Sequence, residues 1–189
     1  MVLSLTLVCV IGGGLLAATY NLTYEPIAEA HAEALQEAIR NVIPEFDNDP
    51  AQDAYKAVTT EGDSLIIYPA TKEGNPVGAA VESYSKNGFN GEIRVIVGFD
   101  AEDKLVNYSI LFHNETPGLG SKMQEWFHTE KNQQSIIGRS LAEGRLAVTK
   151  DGGDIDAITA STITSRAFLE AINKAYSAYK NNKGATIVE

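Results

Sequence analysis

The pattern of apolar and charged positions divides the chain into three parts. No charged residue occurs from position 2 to position 20, and the first one is Glu25. Roughly 20 apolar residues in a helix cross the ~30 Å hydrocarbon core of a bilayer, so this run predicts one transmembrane helix. We therefore expect an anchor at residues 1–24, a connecting amphipathic helix and loop at 25–60, and a folded domain at 61–189.

A cleaved signal peptide is the main alternative interpretation of the apolar run. Such a peptide has a basic segment ahead of its apolar core and a small-residue cleavage site behind it. Here no basic residue precedes the run, and residues 21–26 lead directly into helical sequence. Tyr20 and Tyr24 stand where interfacial aromatic residues are found. We expect a retained anchor; its orientation is undetermined by charge, and whether the native N-terminus extends beyond Met1 is left open.

The remaining periodicity predicts a helix followed by a sheet. Pro26 suits a first helical turn and Pro44 a stop, and the apolar positions between them recur at helical spacing: Ile27, Leu35, Ala38, Ile39 and Val42. Four strand-like runs come next, at 64–68, 77–83, 92–99 and 104–113. Turn residues between successive runs predict antiparallel pairing.

The last third of the chain predicts further short elements and a final helix. Residues 121–127 suggest a short helix, residues 133–141 are ambiguous, and residues 145–150 predict another strand. One face of the final helix carries apolar and aromatic side chains that we expect in the core: Phe168, Ile172, Ala175, Tyr176 and Tyr179. The predicted fold class is α+β, an antiparallel-sheet domain flanked by helices and preceded by one transmembrane helix.

Composition excludes several classes of function. With 15 basic and 25 acidic side chains the net charge is −10, which disfavours a nucleic-acid partner. The three histidines and the single cysteine have no metal-ligand spacing, and there is no cysteine set for an iron–sulfur cluster. Neither a nucleophile elbow nor a dinucleotide-binding spacing occurs. We expect no metal and no catalytic residue in the isolated chain.

The most informative segment is the hydroxyl-rich run at 156–165, directly before the final helix. It begins with Asp156 and supplies five hydroxyl side chains: Thr159, Ser161, Thr162, Thr164 and Ser165. A helix N-terminus has unpaired backbone N–H groups and a partial positive charge, which suits a phosphate group. The alternative is an ordinary N-cap, but capping requires one hydroxyl and this run offers five.

A second segment, 115–120, reads Glu-Thr-Pro-Gly-Leu-Gly. Taken alone, its Pro117-Gly118 pair is typical of a type II turn. Together with the hydroxyl-rich run, however, this segment resembles the RnfG/NqrC family, and the resemblance covers nearly the whole chain. Members of that family carry FMN in a phosphoester bond to the last Thr of an Asp-x-x-(Ser/Thr)-Gly-Ala-Thr pattern.

The resemblance implies that Thr162 carries the FMN. Asp156 would be a determinant for the flavin transferase or a hydrogen-bond acceptor. Ala160 and Ser161 stand where the family has Gly and Ala, and if position 160 needs a positive φ, Ala would cost about 1 kcal/mol. The loop at 115–120 would lie against the flavin. The cofactor-binding residues implied in this way are Glu115, Thr116, Gly118, Leu119, Gly120, Asp156, Thr159, Ala160, Ser161, Thr162, Thr164 and Ser165.

The resemblance also implies the function. It is that of an electron-carrying subunit of an ion-translocating ferredoxin:NAD⁺ oxidoreductase (Rnf) complex, with the FMN domain on the extracytoplasmic side of the inner (cytoplasmic) membrane. The implied partners are the other membrane subunits and an ApbE-type flavin transferase that uses FAD. Compact spacing between anchor and first strand favours the RnfG type over NqrC, a subunit of sodium-translocating NADH:quinone oxidoreductase. A non-redox adaptor domain and a free-standing flavin reductase are the alternatives of other classes.

Overall fold

The structure is a computed structural model that describes residues 2–43, 45–59 and 62–182, without the side chain of residue 28. The chain divides into two compact units, Met1–Glu37 and Ala38–Glu189. Within the described residues, the helices are α1 (Val2–Val42), α2 (Met123–Trp126) and α3 (Thr162–Asn182), and the strands are β1 (Tyr55–Val58), β2 (Ser64–Lys72), β3 (Asn75–Gly88), β4 (Gly91–Asp100) and β5 (Leu105–His113).

The first unit is a single stretch of helix with an exposed apolar surface. Its large apolar side chains between Val2 and Leu22 are 55–86% exposed. The hydroxyls of Thr6, Thr19 and Thr23 donate to carbonyls four residues earlier, so these polar groups are satisfied inside the helix. By length and composition, α1 is able to cross a membrane.

The structure corrects one prediction for this helix. Pro26 lies inside α1 and not in the first turn of a separate helix. A proline removes one backbone hydrogen bond, but helix-forming sequence on both sides continues the helix through it. The apolar stripe behind it is buried only at its end, because Ile27 is 54% exposed while Ala38 and Val42 are buried. Pro44, the predicted stop, falls outside the described residues.

The second unit is built on a five-stranded antiparallel sheet in which each strand pairs with the next, in the order β1-β2-β3-β4-β5. The four predicted strands and the α+β class are confirmed. β1 was not predicted; it has only four residues, too few for a clear alternation. The boundaries between the predicted anchor, connection and FMN domain, after residues 24 and 60, stay predictions.

Residues 145–150, predicted as a strand, do not join the sheet. Leu146 and Val148 are buried in alternation, as in a strand. Gly152, in a left-handed conformation at φ 84°, turns the chain back so that Val148 bridges Ile155 within the same segment. Backbone N–H and C=O groups of this segment therefore bond to each other, and the alternating buried side chains do not reflect pairing with the sheet. Residues 133–141 are mostly irregular, whereas the short helix predicted at 121–127 is present as a 3-10 turn followed by α2.

The core lies between one face of the sheet and α3. The Ser83 hydroxyl on β3 donates to the carbonyl of Ala171 at 2.8 Å, which ties strand to helix. Phe168 stacks on Phe127 with ring centroids 4.7 Å apart, and Tyr179 stacks on Phe99 at 5.2 Å. The predicted core face of the final helix is thus confirmed, with Tyr176 half-buried beside it.

The opposite face of the sheet receives the end of α1. A Cβ at Gly98 on β4 would lie 1.6 Å from the carbonyl oxygen of Val42, so only glycine permits this approach. The Asn107 side-chain amide donates to the Asn41 carbonyl at 2.8 Å. Helices therefore cover both faces of the sheet, and the loops at its end are left free to form a site.

Candidate functional site

Thr162 is the first residue of α3 and lies between two cavities. One has a volume of about 320 Å³ and the other about 360 Å³, and both are lined by Ala160 and Thr162. The Thr162 Oγ1 atom accepts a hydrogen bond from the Lys150 ammonium at 3.3 Å. This half-buried hydroxyl is thus open to ligands on either side of the helix start.

The smaller cavity brings together the two segments singled out in the sequence. Its walls come from the 115–120 loop, the start of α3 and the tip of the β3–β4 hairpin. The lining residues are Phe89, Glu115, Thr116, Leu119, Gly120, Ala160, Ser161, Thr162, Ile163 and Thr164. Eight of the twelve residues predicted to bind the cofactor therefore share this one cavity.

Three large apolar side chains stand exposed around the same cavity. Phe89 is 64% exposed, Ile163 49% and Leu119 41%. Exposed apolar groups gathered at a concave site suit a planar apolar ligand. Phe89 and Ile163 were not predicted from the sequence. The signal for Phe89 was an aromatic residue inside a Gly88–Gly91 hairpin turn, where small and polar residues are usual.

Glu115 holds the walls of the cavity together. Only 4% of the residue is exposed, yet both carboxylate oxygens have partners. Oε2 accepts from the Thr164 hydroxyl at 2.6 Å, and Oε1 accepts from the Asn90 backbone N–H at 3.1 Å. One carboxylate thereby joins the loop, the hairpin and the first turn of α3.

Gly120 is required by the same close packing. A Cβ at this position would lie 2.6 Å from Oε2 of Glu115 and 2.9 Å from Oγ1 of Thr164. Glycine at this position therefore lets the loop pack directly against the Glu115 carboxylate and the first turn of α3. Gly118 behaves differently: it is exposed at φ 75°, and its N–H donates to the Ser121 hydroxyl.

The start of α3 offers unpaired backbone donors to the site. Among the described residues, the backbone N–H groups of Thr162, Ile163 and Thr164 have no acceptor. The first helical hydrogen bond of α3 runs from the Ser165 N–H to the Ser161 carbonyl oxygen. Ala160 precedes this turn with φ 62°, the left-handed conformation that favours glycine. The three amides and the helix dipole suit an anionic group beside Thr162.

The other predicted residues lie outside the smaller cavity. Asp156 and Thr159 line the 360 Å³ cavity together with Lys150. Asp156 uses its carbonyl to accept from the Trp126 indole N–H at 2.8 Å and its carboxylate to accept from Gln133 N at 3.3 Å. Ser165 is fully buried and accepts from the Ile158 N–H, so it stabilises the turn without reaching a ligand.

A clamp of opposite charges fixes the segment that carries Lys150. Arg166 donates two hydrogen bonds to the Asp151 carboxylate, at 2.6 and 2.7 Å. This contact lowers the pKa of Asp151 and raises that of Arg166, in both cases chiefly through the side-chain hydrogen bonds, with their mutual charge attraction acting in the same direction. Neither Lys150 nor the clamp was foreseen, because residues 145–150 were interpreted as a strand.

A larger cavity of about 550 Å³ along the second half of α3 collects none of these residues. Two of its cations are already paired: Lys174 contacts Asp63 at 2.8 Å, and Lys180 contacts Asp103. Within the part of the chain that the structure describes, no group of His, Cys, Asp or Glu has the arrangement of a metal site. The cavities beside Thr162 are therefore the candidate site.

The residues there fit a ligand that joins an aromatic ring system to a phosphate. The apolar rim and the cavity of about 320 Å³ suit the ring, because this volume lies at the lower end of the range for small-molecule sites. The amides of α3 and the Lys150 ammonium suit the phosphate. The Thr162 hydroxyl lies where these two surroundings meet.

Comparison with known proteins gives the same ligand. Residues 88–177 match the model of the FMN-binding domain, a range that includes the hairpin tip, the 115–120 loop and the start of α3. Three similar proteins are each named as the G subunit of an ion-translocating oxidoreductase complex. The one from Vibrio parahaemolyticus serotype O3:K6 is 35% identical over 84% of this chain and 78% of its own length. The one from Shewanella baltica is 31% identical over 95% and 88%.

The third relative, from Aliivibrio fischeri strain MJ11, is 32% identical over 96% of this chain and 90% of its own length. The second and third matches cover 95% and 96% of the chain, and therefore most of the apolar helix as well as the sheet. All three confirm the resemblance on which the sequence prediction rested. The chain belongs to the family of G subunits of ion-translocating oxidoreductase complexes.

Proposed function

We propose that this protein carries FMN in a phosphoester bond on Thr162 and passes electrons as the G subunit of an ion-translocating ferredoxin:NAD⁺ oxidoreductase (Rnf) complex. The observation that carries the proposal is the position of Thr162. Its half-buried hydroxyl stands between the unpaired amides of α3, the Lys150 ammonium and the apolar cavity. A threonine that served only as a cap would need none of these neighbours.

Each part of the site has a role in holding the group. FMN supplies the redox chemistry, and the protein supplies position and electrostatics. Phe89, Leu119 and Ile163 would contact the ring system and exclude water from it. Glu115 would keep the loop and the helix start in register through Thr164 and Asn90. The first-turn amides would stabilise the phosphate charge.

The lining of the cavity favours an electron carrier over an enzyme with its own substrate. Among the described residues, Glu115 is the only charged side chain in that lining, and both of its oxygens already accept hydrogen bonds from the protein. A free-standing flavin reductase needs a substrate site and commonly a proton donor, whereas a carrier needs a retained cofactor with an accessible edge. Covalent attachment provides the retention outside the cytoplasm, where lost FMN is not readily replaced.

The test of attachment is the intact mass of the full chain, produced with and without an ApbE-type transferase and FAD. We expect one added FMN phosphoester and a fluorescent band after denaturing electrophoresis, both absent in Thr162→Ala. Thr159→Ala is the matched control, because Thr159 belongs to the same run but lines only the other cavity. Wild-type protein that never acquires flavin would instead support a non-redox adaptor, and a label that persists in Thr162→Ala would place the bond elsewhere.

The proposed topology is a single-pass anchor at 1–24 in the inner membrane, a connection at 25–60 and an extracytoplasmic FMN domain at 61–189. In a Cys9→Ser background, cysteine introduced at the exposed Lys131 should react with an impermeant thiol reagent in intact cells. Reaction only after lysis would reverse the orientation. Release of a soluble domain cut near Tyr20 would favour the cleaved signal peptide.

The subunits that copurify with this chain distinguish between the two related complexes. The three relatives described above are each named as G subunits of ion-translocating oxidoreductase complexes, which favours the Rnf complex. Purification of the tagged full chain should bring down the other Rnf membrane subunits. Recovery of a sodium-translocating NADH:quinone oxidoreductase would support the NqrC-like alternative instead.

A further inference from the structure

Lys150 lies in a tight turn beside Thr162. The residue lies in a 3-10 turn, Thr149–Asp151, that ends at Gly152 in the left-handed conformation. Gly153 follows, and a Cβ there would lie 2.1 Å from the Ala147 carbonyl oxygen, so the chain is tightly folded at this point. The Lys150 ammonium reaches Thr162 Oγ1 from this turn at 3.3 Å.

The Asp151–Arg166 clamp fixes the distance between that turn and α3. Arg166 is four residues after Thr162 and therefore lies on the same face of the helix. Its guanidinium holds both oxygens of Asp151, the residue next to Lys150. Arg166 itself lines neither cavity beside Thr162, and Lys150 is the only basic side chain in either lining, within the described part of the chain.

We propose that Lys150 is a positioning residue for flavin attachment: its ammonium holds the Thr162 oxygen toward the incoming phosphorus and then pairs with the phosphodiester that forms. This inference rests on the proposed function. In the attachment step, Thr162 Oγ1 forms a bond to the FMN phosphorus of FAD, and the P–O bond of the FAD anhydride breaks. AMP leaves with the bonding electron pair, and the hydroxyl proton passes to the transferase.

The geometry supports both parts of this role. An ammonium that donates to Oγ1 restricts the rotation of the Thr162 side chain and leaves a lone pair for attack. The phosphodiester carries one negative charge on oxygens next to Oγ1, within reach of a cation already 3.3 Å from that atom. Lysine acts here as a point charge, so arginine at the same place should replace it in part.

The experiment measures the rate of FMN incorporation into the full-length chain in detergent, with purified transferase and limiting FAD. We expect Lys150→Ala to slow incorporation about tenfold, the factor that corresponds to about 1.4 kcal/mol, and Lys150→Arg to recover most of the rate. Lys104→Ala, an exposed lysine in the β4–β5 turn outside both cavities, should leave the rate unchanged. Unchanged melting temperatures would show that the variants are folded.

A second readout tests the charge directly. Once FMN is attached, the ³¹P resonance of the phosphodiester should shift in Lys150→Ala and return toward the wild-type position in Lys150→Arg. Equal rates in Lys150→Ala and wild type, or an equally slow Lys150→Arg, would overturn the proposal. Wild-type protein that takes no FMN, or incorporation that survives Thr162→Ala, would instead overturn the proposed function, so the two failures are distinguishable.

Discussion

Hydroxyl side chains in the first turn of α3 are buried on one side of the helix and open to the cavities on the other. Thr164 and Ser165 are buried, at 1% and 0% exposure, and their hydroxyls bond to the protein itself. Thr162 is half-buried and opens onto both cavities. A hydroxyl-rich motif thus contains a structural part and a reactive part, and helix geometry separates residues that are adjacent in sequence.

Loss of covalent flavin should distinguish Thr162 from Thr164. Thr162→Ala should lose all covalent flavin with little change in stability, because its hydroxyl holds no buried group. Thr164→Ala should keep the flavin but lower the free energy of unfolding by about 1.5–3 kcal/mol, since it removes a hydrogen bond to the buried Glu115 carboxylate. Flavin fluorescence and thermal melts measure the two effects.

Thr164→Ser is the control for that pair. Serine retains the hydroxyl that donates to Glu115, so most of the stability should return. If Thr164→Ala lost the flavin as completely as Thr162→Ala while remaining folded, the division between a structural and a reactive side would be wrong.

Ser165→Ala tests the structural side further. Ser165 Oγ accepts from the Ile158 N–H at 2.9 Å and donates to the Ser161 carbonyl at 3.0 Å, all in buried surroundings. Alanine would leave a buried N–H without its partner, which costs about 1–3 kcal/mol. A domain of this size should then melt roughly 2–4 °C lower for each kcal/mol. Thr159→Ala, at an exposed position of the same run, should not change the melting temperature.

Glu115→Gln changes a buried carboxylate on the opposite wall of the cavity. The amide oxygen of Gln can replace only one of the two carboxylate acceptors, so we expect a loss of about 1 kcal/mol in stability. Covalent FMN should stay at full occupancy. Removing a negative charge from the cavity lining should raise the flavin midpoint potential, because that charge disfavours an anionic reduced flavin.

Spectroelectrochemical titration, with the flavin stoichiometry measured alongside, checks this prediction. Glu92→Gln is a suitable control, since it neutralises a carboxylate on the sheet that pairs with Arg94. An unchanged potential in Glu115→Gln would leave Glu115 with only its role in joining the loop to α3.

Sequence predicted the elements with clear periodicity and the two motifs, but not how the motifs divide their work. The sheet and α3 follow from alternation and helical spacing, and the 115–120 loop and the hydroxyl run do meet at one cavity. Phe89 was missed because an exposed aromatic in a hairpin has no periodic signature. Lys150 was missed because alternating burial in a locally folded segment gives the same pattern as a strand.

Ala160 is one of the two residues before α3 that depart from the family pattern, and replacing it should have only a small effect. Ala160 has φ 62°, where a residue with a Cβ costs about 1–2 kcal/mol and glycine does not. Glycine also gives the unfolded chain more freedom, which offsets part of that gain. We therefore expect Ala160→Gly to raise the free energy of unfolding by about 0.5–1 kcal/mol, measured by denaturant titration, with flavin attachment intact. Ala157→Gly is the matched control: Ala157 lies three residues earlier and is not among the described residues with a positive φ, so it should lose stability. A loss of stability in both variants would mean that alanine does not strain the left-handed turn, and that alanine in place of the family's glycine at position 160 costs no stability.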